Sequence, residues 1–309
     1  MLKKRFAVVG LSLAIGVTLL ASTAFASAQN ISGYDAYKSA AAKTFASKNL
    51  TMNVTASVTD NGSKLATVDS VIKVSKVGES NFSGETTLNA DGKTIKMSNF
   101  AKDGQMVTKL DGNDTYFVNK ENDKFKNGKF KNSEGKMMDE NFAEHQKVGR
   151  LVMDSMVGEL KNSFITKANP DGSSIISVNL EGNQIPAAVN GVVSLAIKDG
   201  GLHGKNVSTD KGELNKILPA AKNMKVNFPE LVSDISIKSV SLKAEVSANQ
   251  IITAQTMKIV VSGKDKAGKV HVIEFNANVG LSNISSTTPD KVDLTGKTVK
   301  IIENREMNK

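Results

Sequence analysis

Apolar positions recur first at helical spacing and then at every second residue. Tyr37, Ala41, Thr44, Phe45 and Lys48, with alanines between them, predict an amphipathic helix over Tyr34 to Asn49, with Ser32 as its N-cap. Period two then takes over. Met52, Val54, Ala56 and Val58 alternate with Asn53, Thr55, Ser57 and Thr59, and Asp60-Asn61-Gly62 supplies the positive-φ residues of a hairpin turn. The grammar repeats through Val68, Ile72 and Val74, then Phe82 to Asn89, the turn Ala90-Asp91-Gly92-Lys93, and Ile95 with Met97. Gln105 to Leu110 and Thr115 to Asn119, parted by Asp111-Gly112-Asn113, complete a predicted meander over residues 50–119.

Lys120 to Lys136 has no periodic apolar face and reads as a loop, with Phe125 and Phe130 set among lysines. Lys124, Lys126, Lys129 and Lys131 are its candidates for contact with an anionic surface; the alternative is a solvated connection whose phenylalanines tuck onto the sheet edge. Helical spacing returns from Asn141, where Val148, Leu151, Val152, Met156 and Leu160 form a stripe that Met153 and Val157 widen. Gly149 and Gly158 interrupt it, each costing about 1 kcal/mol against alanine. Strands over Ser163 to Ala168 and Ser174 to Glu181 flank the turn Asn169-Pro170-Asp171-Gly172.

Asn183 is then expected to cap a helix with Pro186 in its first turn, Val189, Val192, Val193, Ala196 and Ile197 as its buried face, and Gly200-Gly201 at its end. Glu213 to Met224, broken by Pro219, reads as a short irregular helix. Ile235 and Ile237 alternate in one register and Val240, Leu242, Ala244 and Val246 in the other, which predicts a bulge near Lys238 or Ser239. Two long strands follow, Ile251 to Ser262 and Val270 to Leu281, the second with Ile273, Phe275, Ala277, Val279 and Leu281 on one side. Residues 285–309 form a tail with the pattern of an edge strand at Lys297 to Ile302.

About eleven strands, nearly all with one apolar and one polar side, describe an antiparallel sheet wet on one face. Strand twist keeps so long a meander from staying flat. The expected fold is therefore α+β: a long curved antiparallel sheet, an open half-barrel, whose concave apolar face is covered by helices at 141–162 and 183–199 and by the N-terminal helix. The predicted organisation is a signal peptide at 1–28, a single half-barrel domain at 29–284 and the tail.

The ends and the composition add a compartment. Lys3, Lys4 and Arg5 precede a weakly polar to apolar run from Phe6 to Leu20, too short to span a bilayer, followed by small residues that offer cleavage before Ser27 or Gln29. A secreted protein on the outer side of a bacterial cytoplasmic membrane is expected, with an uncleaved N-terminal anchor as the alternative. Cleavage removes three positive charges and takes the formal net charge from +9 to +6. There is no cysteine, so disulfides, thiol chemistry and cysteine-linked lipid anchors are excluded. With no tryptophan and three tyrosines, stacking platforms for nucleic acid are scarce.

The order of one N-terminal helix, six meandering strands, an inserted helix, two strands, further helices and three long strands resembles the bacterial lipoprotein-carrier half-barrels, the LolA-like and LppX-like folds. It covers most of residues 32–284 and is architectural, with no motif matched residue by residue. The Tyr34 to Lys38 start and the Thr59 to Gly62 turn also look like secreted Firmicute proteins of unassigned function. The resemblance implies acyl chains held between sheet and helical lid, and an arginine that holds the lid, for which Arg150 is the candidate in the first inserted helix.

His145, His203 and His271 stand in unrelated contexts without ligand spacing, and His271, between Val270 and Val272, is expected to face the surface. Asp111-Gly112-Asn113-Asp114 lacks the terminal acidic ligand of a calcium loop and reads as a turn. No catalytic cluster, cofactor or metal is called for. Aromatics are only 5% of residues, few for so broad a sheet, and a cavity between sheet and lid follows. The expected ligand is an apolar small molecule or lipid, met by Arg150, Leu151, Val152, Met153, Met156, Val189, Val193, Ile197 and Met52. The alternative is a structural or interaction protein of the cell envelope that binds an anionic membrane, wall polymer or protein partner; an enzyme is the weakest option, and no nucleic-acid role is expected.

Overall fold

A computed structural model describes residues 32–75, 82–102, 105–120, 161–185 and 228–303. Helix α1, Gly33–Ala46, starts where predicted: the Ser32 hydroxyl accepts a hydrogen bond from Asp35 N at 3.2 Å, and Asp35 places a negative charge in the first turn. It stops short of Asn49 because that residue already pairs with Ser75 in the sheet.

Twelve strands follow among the described residues. They are β1 Asn49–Asp60, β2 Ser63–Ser75, β3 Phe82–Ala90, β4 Lys93–Lys102, β5 Gln105–Leu110 and β6 Thr115–Lys120, then β7 Ile165–Ala168, β8 Ser174–Glu181, β9 Ser233–Val246, β10 Ile252–Lys264, β11 Val270–Ser282 and β12 Thr298–Glu303. They form one sheet in the order β12-β6-β5-β4-β3-β2-β1-β11-β10-β9-β8-β7. Its edges, β12 and β7, are not paired with each other, so the sheet is open. The turns behave as their residues dictate: Asn61 and Gly62 sit at φ 47 and 78, Asp91 and Gly92 at φ 53 and 66. Val261 pairs with Ile237 and Val260 with Ser239, leaving Lys238 as the extra residue of the predicted bulge.

Three expectations need correction. The sheet is mixed, since β12 runs parallel to β6 and every other pair is antiparallel. A parallel neighbour needs a long crossover, and residues 283–297 supply it by running from the end of β11 across the sheet to β6. Asn183 is not a helix N-cap. It lies inside a single 3-10 turn, Gly182–Gln184, which Glu181 caps and extended Ile185 ends. Lys161–Ser163 is likewise a 3-10 turn, so β7 begins at Ile165 rather than Ser163.

The two inserted helices expected as cover, over 141–160 and from Pro186 onward, lie outside the described residues, as do the signal peptide, the 121–136 loop and the helix at 213–224. Among the described residues the helix that covers the sheet is α1. Tyr37, Ala40 and Ala41 form one buried cluster with Ile176, Val178 and Leu180 of β8, Leu242 and Ala244 of β9 and Ile252 of β10. A second apolar cluster gathers Ala90, Ile95, Leu110, Phe117 and Ile302 at the β4-to-β12 end. A third joins Val58, Val261 and Ile273 to Leu231 in the chain leading into β9. All three lie on one face.

The crossover braces the other face. Ser285 N donates to Asn49 O, the Thr51 and Thr287 hydroxyls meet at 2.8 Å, and Asp290 sits on Ser83 and Lys73. Thr51, Lys73 and Ser83 are direct cross-strand partners, so these contacts follow one row of the sheet from β1 to β3.

Candidate functional site

Strand register turns the apolar face into rows. In one, Val178, Leu242, Met257 and Ala277 lead across β8 to β11 into Ala56, Val68, Leu88 and Ile95 on β1 to β4. The next carries Gln255, Val279 and Val54 into Ser70, Thr86 and Met97. A third runs Leu281, Met52, Ile72, Gly84, Asn99, Thr108. The middle of this face, away from α1, is only half-buried at Met52, Ala56, Val68, Ile72, Leu88, Met97 and Met257. Its floor is built from small residues flanked by flexible thioethers, a combination that adapts to the shape of what lies on it.

Few polar groups interrupt these rows, and none carries charge. Gln255 is buried and accepts from the Tyr37 hydroxyl at 2.9 Å, which fastens α1 to β10. Burial pushes the Tyr37 phenol up to about 12, with the Gln255 bond opposing. Thr44 adds a second fastening, accepting from Ile252 N at 2.9 Å while its own hydroxyl donates to Ala40 O. On β2 and β3 the Ser70 and Thr86 hydroxyls bond each other, and Ser70 also donates to Glu85 O. On β4 and β5 the Thr108 hydroxyl donates to Asn99 Oδ1 at 2.7 Å.

Of the expected ligand contacts, Met52 is in view: it lies on the apolar face between Leu281 and Ile72. Arg150, Leu151, Val152, Met153, Met156, Val189, Val193 and Ile197 lie outside the described residues, as do Lys124, Lys126, Lys129 and Lys131. The polar pairs on β2 to β5 were missed because Ser, Thr and Asn at alternating positions look alike on either side of a strand. The available signal was parity: Ser70 falls between Val68 and Ile72.

His271 does not face the surface. It shares the parity of Ile273 and Phe275, is 5% exposed, and holds Nδ1 at 2.8 Å from Asp60 and Nε2 at 3.3 Å from Asp265. The ring thus ties the end of β1 to the β10–β11 turn. Lys269 N–H, with desolvation opposing and His271 adding, keeps the Asp265 carboxyl below the usual carboxylate range. Among the described residues no group of three or more His, Cys, Asp or Glu is arranged to hold a metal ion, and no helix is long and apolar enough to cross a membrane.

No family model and no curated protein matches the chain. Among solved structures it is similar to a LolA superfamily protein of Nitrosomonas europaea, at 7% identity and a TM-score of 0.22, over 86% of this chain and 96% of that one. It is also similar to the tesB protein of Mycobacterium avium subsp. paratuberculosis, at 12% identity and a TM-score of 0.13, over 88% of this chain and 99% of that one. The dehydratase domain of the CurK module of curacin polyketide synthase follows at 9% identity and a TM-score of 0.12, over 76% and 75% of the two chains. The family that the element order resembles is represented among these structures, at superpositions too poor to assign a shared fold.

Proposed function

We propose that this is a secreted, non-enzymatic protein that binds an apolar ligand, a lipid or lipidated molecule, on the inner face of its open sheet. The observation that supports it is the half-buried middle of that face, where Met52, Ala56, Val68, Leu88, Met97 and Met257, with Ala277 between Ala56 and Met257, lie across six strands without a charged side chain among them. A contiguous apolar surface of this breadth marks a binding surface or a covered one. Methionines beside small residues favour a covering that changes shape, as a ligand does.

The test is extraction of the protein from its own host followed by lipid mass spectrometry, and titration of the delipidated protein with a fluorescent acyl probe. Bound lipid and saturable probe binding are expected, with Ala56→Trp weakening the probe about tenfold by filling the floor. Lipid-free protein that leaves the probe dark sinks the reading. Wall-polymer binding by the opposite face draws less support, because Lys243 and Lys258 there are paired with Glu245 and Glu274. Salt-sensitive retention on purified wall with no probe binding would favour that alternative.

A further inference from the structure

We infer that the ligand is an uncharged amphiphile whose head combines a hydroxyl with an ester or amide carbonyl, of the monoacylglycerol type. The inference rests on the binding face proposed above and concerns what that face can recognise. Thr86 and Asn99 stand on neighbouring strands of it, with Asn99 directly opposite Gly84, two residues from Thr86. Their hydrogen bonds leave complementary valences. The Ser70 and Thr86 hydroxyls share one bond in which either can donate, and in both arrangements the Thr86 oxygen keeps a lone pair free to accept. Since Thr108 donates to Asn99 Oδ1, the Asn99 amide N–H groups remain uncommitted among the described residues.

An acceptor and a donor, both neutral and both half-buried, therefore sit in the middle of an apolar surface. Apolar residues flank them: Met52 and Ile72 on one side, Val68, Leu88 and Met97 on the other. Among the described residues, charged groups on this face stand at its rim, as Asp60, Lys93 and Lys300. A carboxylate or phosphate placed at Thr86 and Asn99 would lose hydration, and no described residue beside them offers a cation to replace it. A hydroxyl can donate to Thr86 while a carbonyl accepts from Asn99, and the attached chain continues along the rows.

The test is displacement of N-phenylnaphthylamine, an uncharged fluorophore, from the delipidated full chain by monooleoylglycerol and by sodium oleate at pH 8, each below its micelle concentration. Monooleoylglycerol is expected to displace the dye at a concentration at least tenfold lower than oleate. Thr86→Val with Asn99→Leu is expected to bring the two within about twofold, and Asn99→Lys to move the preference toward oleate, with circular dichroism checking the fold. Oleate displacing as well as monooleoylglycerol from the wild-type chain, or undiminished discrimination in the folded double variant, overturns the inference and leaves the binding face standing. A wild-type chain that takes up no dye overturns both.

Discussion

The Tyr37 hydroxyl and Gln255 Oε1, 218 residues apart in the chain, meet at 2.9 Å beneath α1. Both groups are buried, so each is the other's replacement for water. Tyr37→Phe strands the Gln255 oxygen and is expected to cost about 1–3 kcal/mol, read as a lower urea midpoint. The same burial orders the tyrosine titration. In the folded protein this phenol keeps its proton to about 12, against 10.0 for the free group. Between those values the unfolded chain releases a proton that the folded chain retains, so stability is intact below pH 10 and falls as pH rises through the window. Ultraviolet titration should show a late ionisation step that Tyr37→Phe removes.

Replacing His271 should be far costlier than its neighbours on a strand would imply. His271→Leu leaves the Asp60 carboxylate, whose side chain is 16% exposed, facing an apolar group. Removing the hydrogen-bond partner of a buried polar group costs about 1–3 kcal/mol, whereas Val270→Thr, at an exposed position beside it, should stay within about 0.5 kcal/mol. Equilibrium unfolding of the two variants makes the comparison; equal midpoints would put the ring outside the structure's support.

The crossover is expected to loosen in acid and when Ser83 is removed. Lys73 beside Asp290, with Ser83 adding and desolvation opposing, holds that carboxyl below the usual range. Its contribution is therefore present above the ordinary carboxylate value and is lost as pH falls through the lower folded one. Lys73 and Asp290 are largely solvated, so the charge effect is small; Ser83, 1% exposed, both accepts from Asp290 N and donates to its carboxylate. Ser83→Ala should cost about 1–2 kcal/mol and speed proteolytic cleavage within 283–297.

Gly33→Ala should destabilise, against the helix propensity that favours alanine by about 1 kcal/mol. A Cβ there would stand 2.6 Å from Phe164 O, a backbone atom that cannot swing aside. Thermal melting should show a drop for Gly33→Ala worth about 1–3 kcal/mol, as overpacking does. A rise instead would mean that α1 and Phe164 separate freely.

Local chemistry made much of this fold readable. Asp60-Asn61-Gly62 and Ala90-Asp91-Gly92 announce hairpins because those residues tolerate positive φ, and the change of apolar parity between Ile237 and Val240 announces the bulge at Lys238. Long-range pairing leaves no such mark. Nothing in Met52 or Val54 says that their neighbours are Leu281 and Val279, or that Thr298–Glu303 runs parallel to β6. The candidate site was legible only as a face: the alternation located Met52, while the polar pairs at Ser70, Thr86, Asn99 and Thr108 depend on register across four strands. His271 was misjudged by its immediate neighbours, although counting back by twos from Phe275 and Ile273 places it inside.

The pairing of β1 with β11 fixes a timetable for assembly. Strands β1 to β6 and β9 to β11 can zip locally, but Thr51 finds Ser282 only after all the chain between them exists. Non-local contacts of this kind are slow to form. Because synthesis starts at the N-terminus, β1 emerges first and waits longest for its second neighbour, an open edge bearing Leu50, Met52 and Val54. Premature association between nascent copies should therefore begin at β1, and a holdase that shields this strand would raise the yield more than one acting on any later segment.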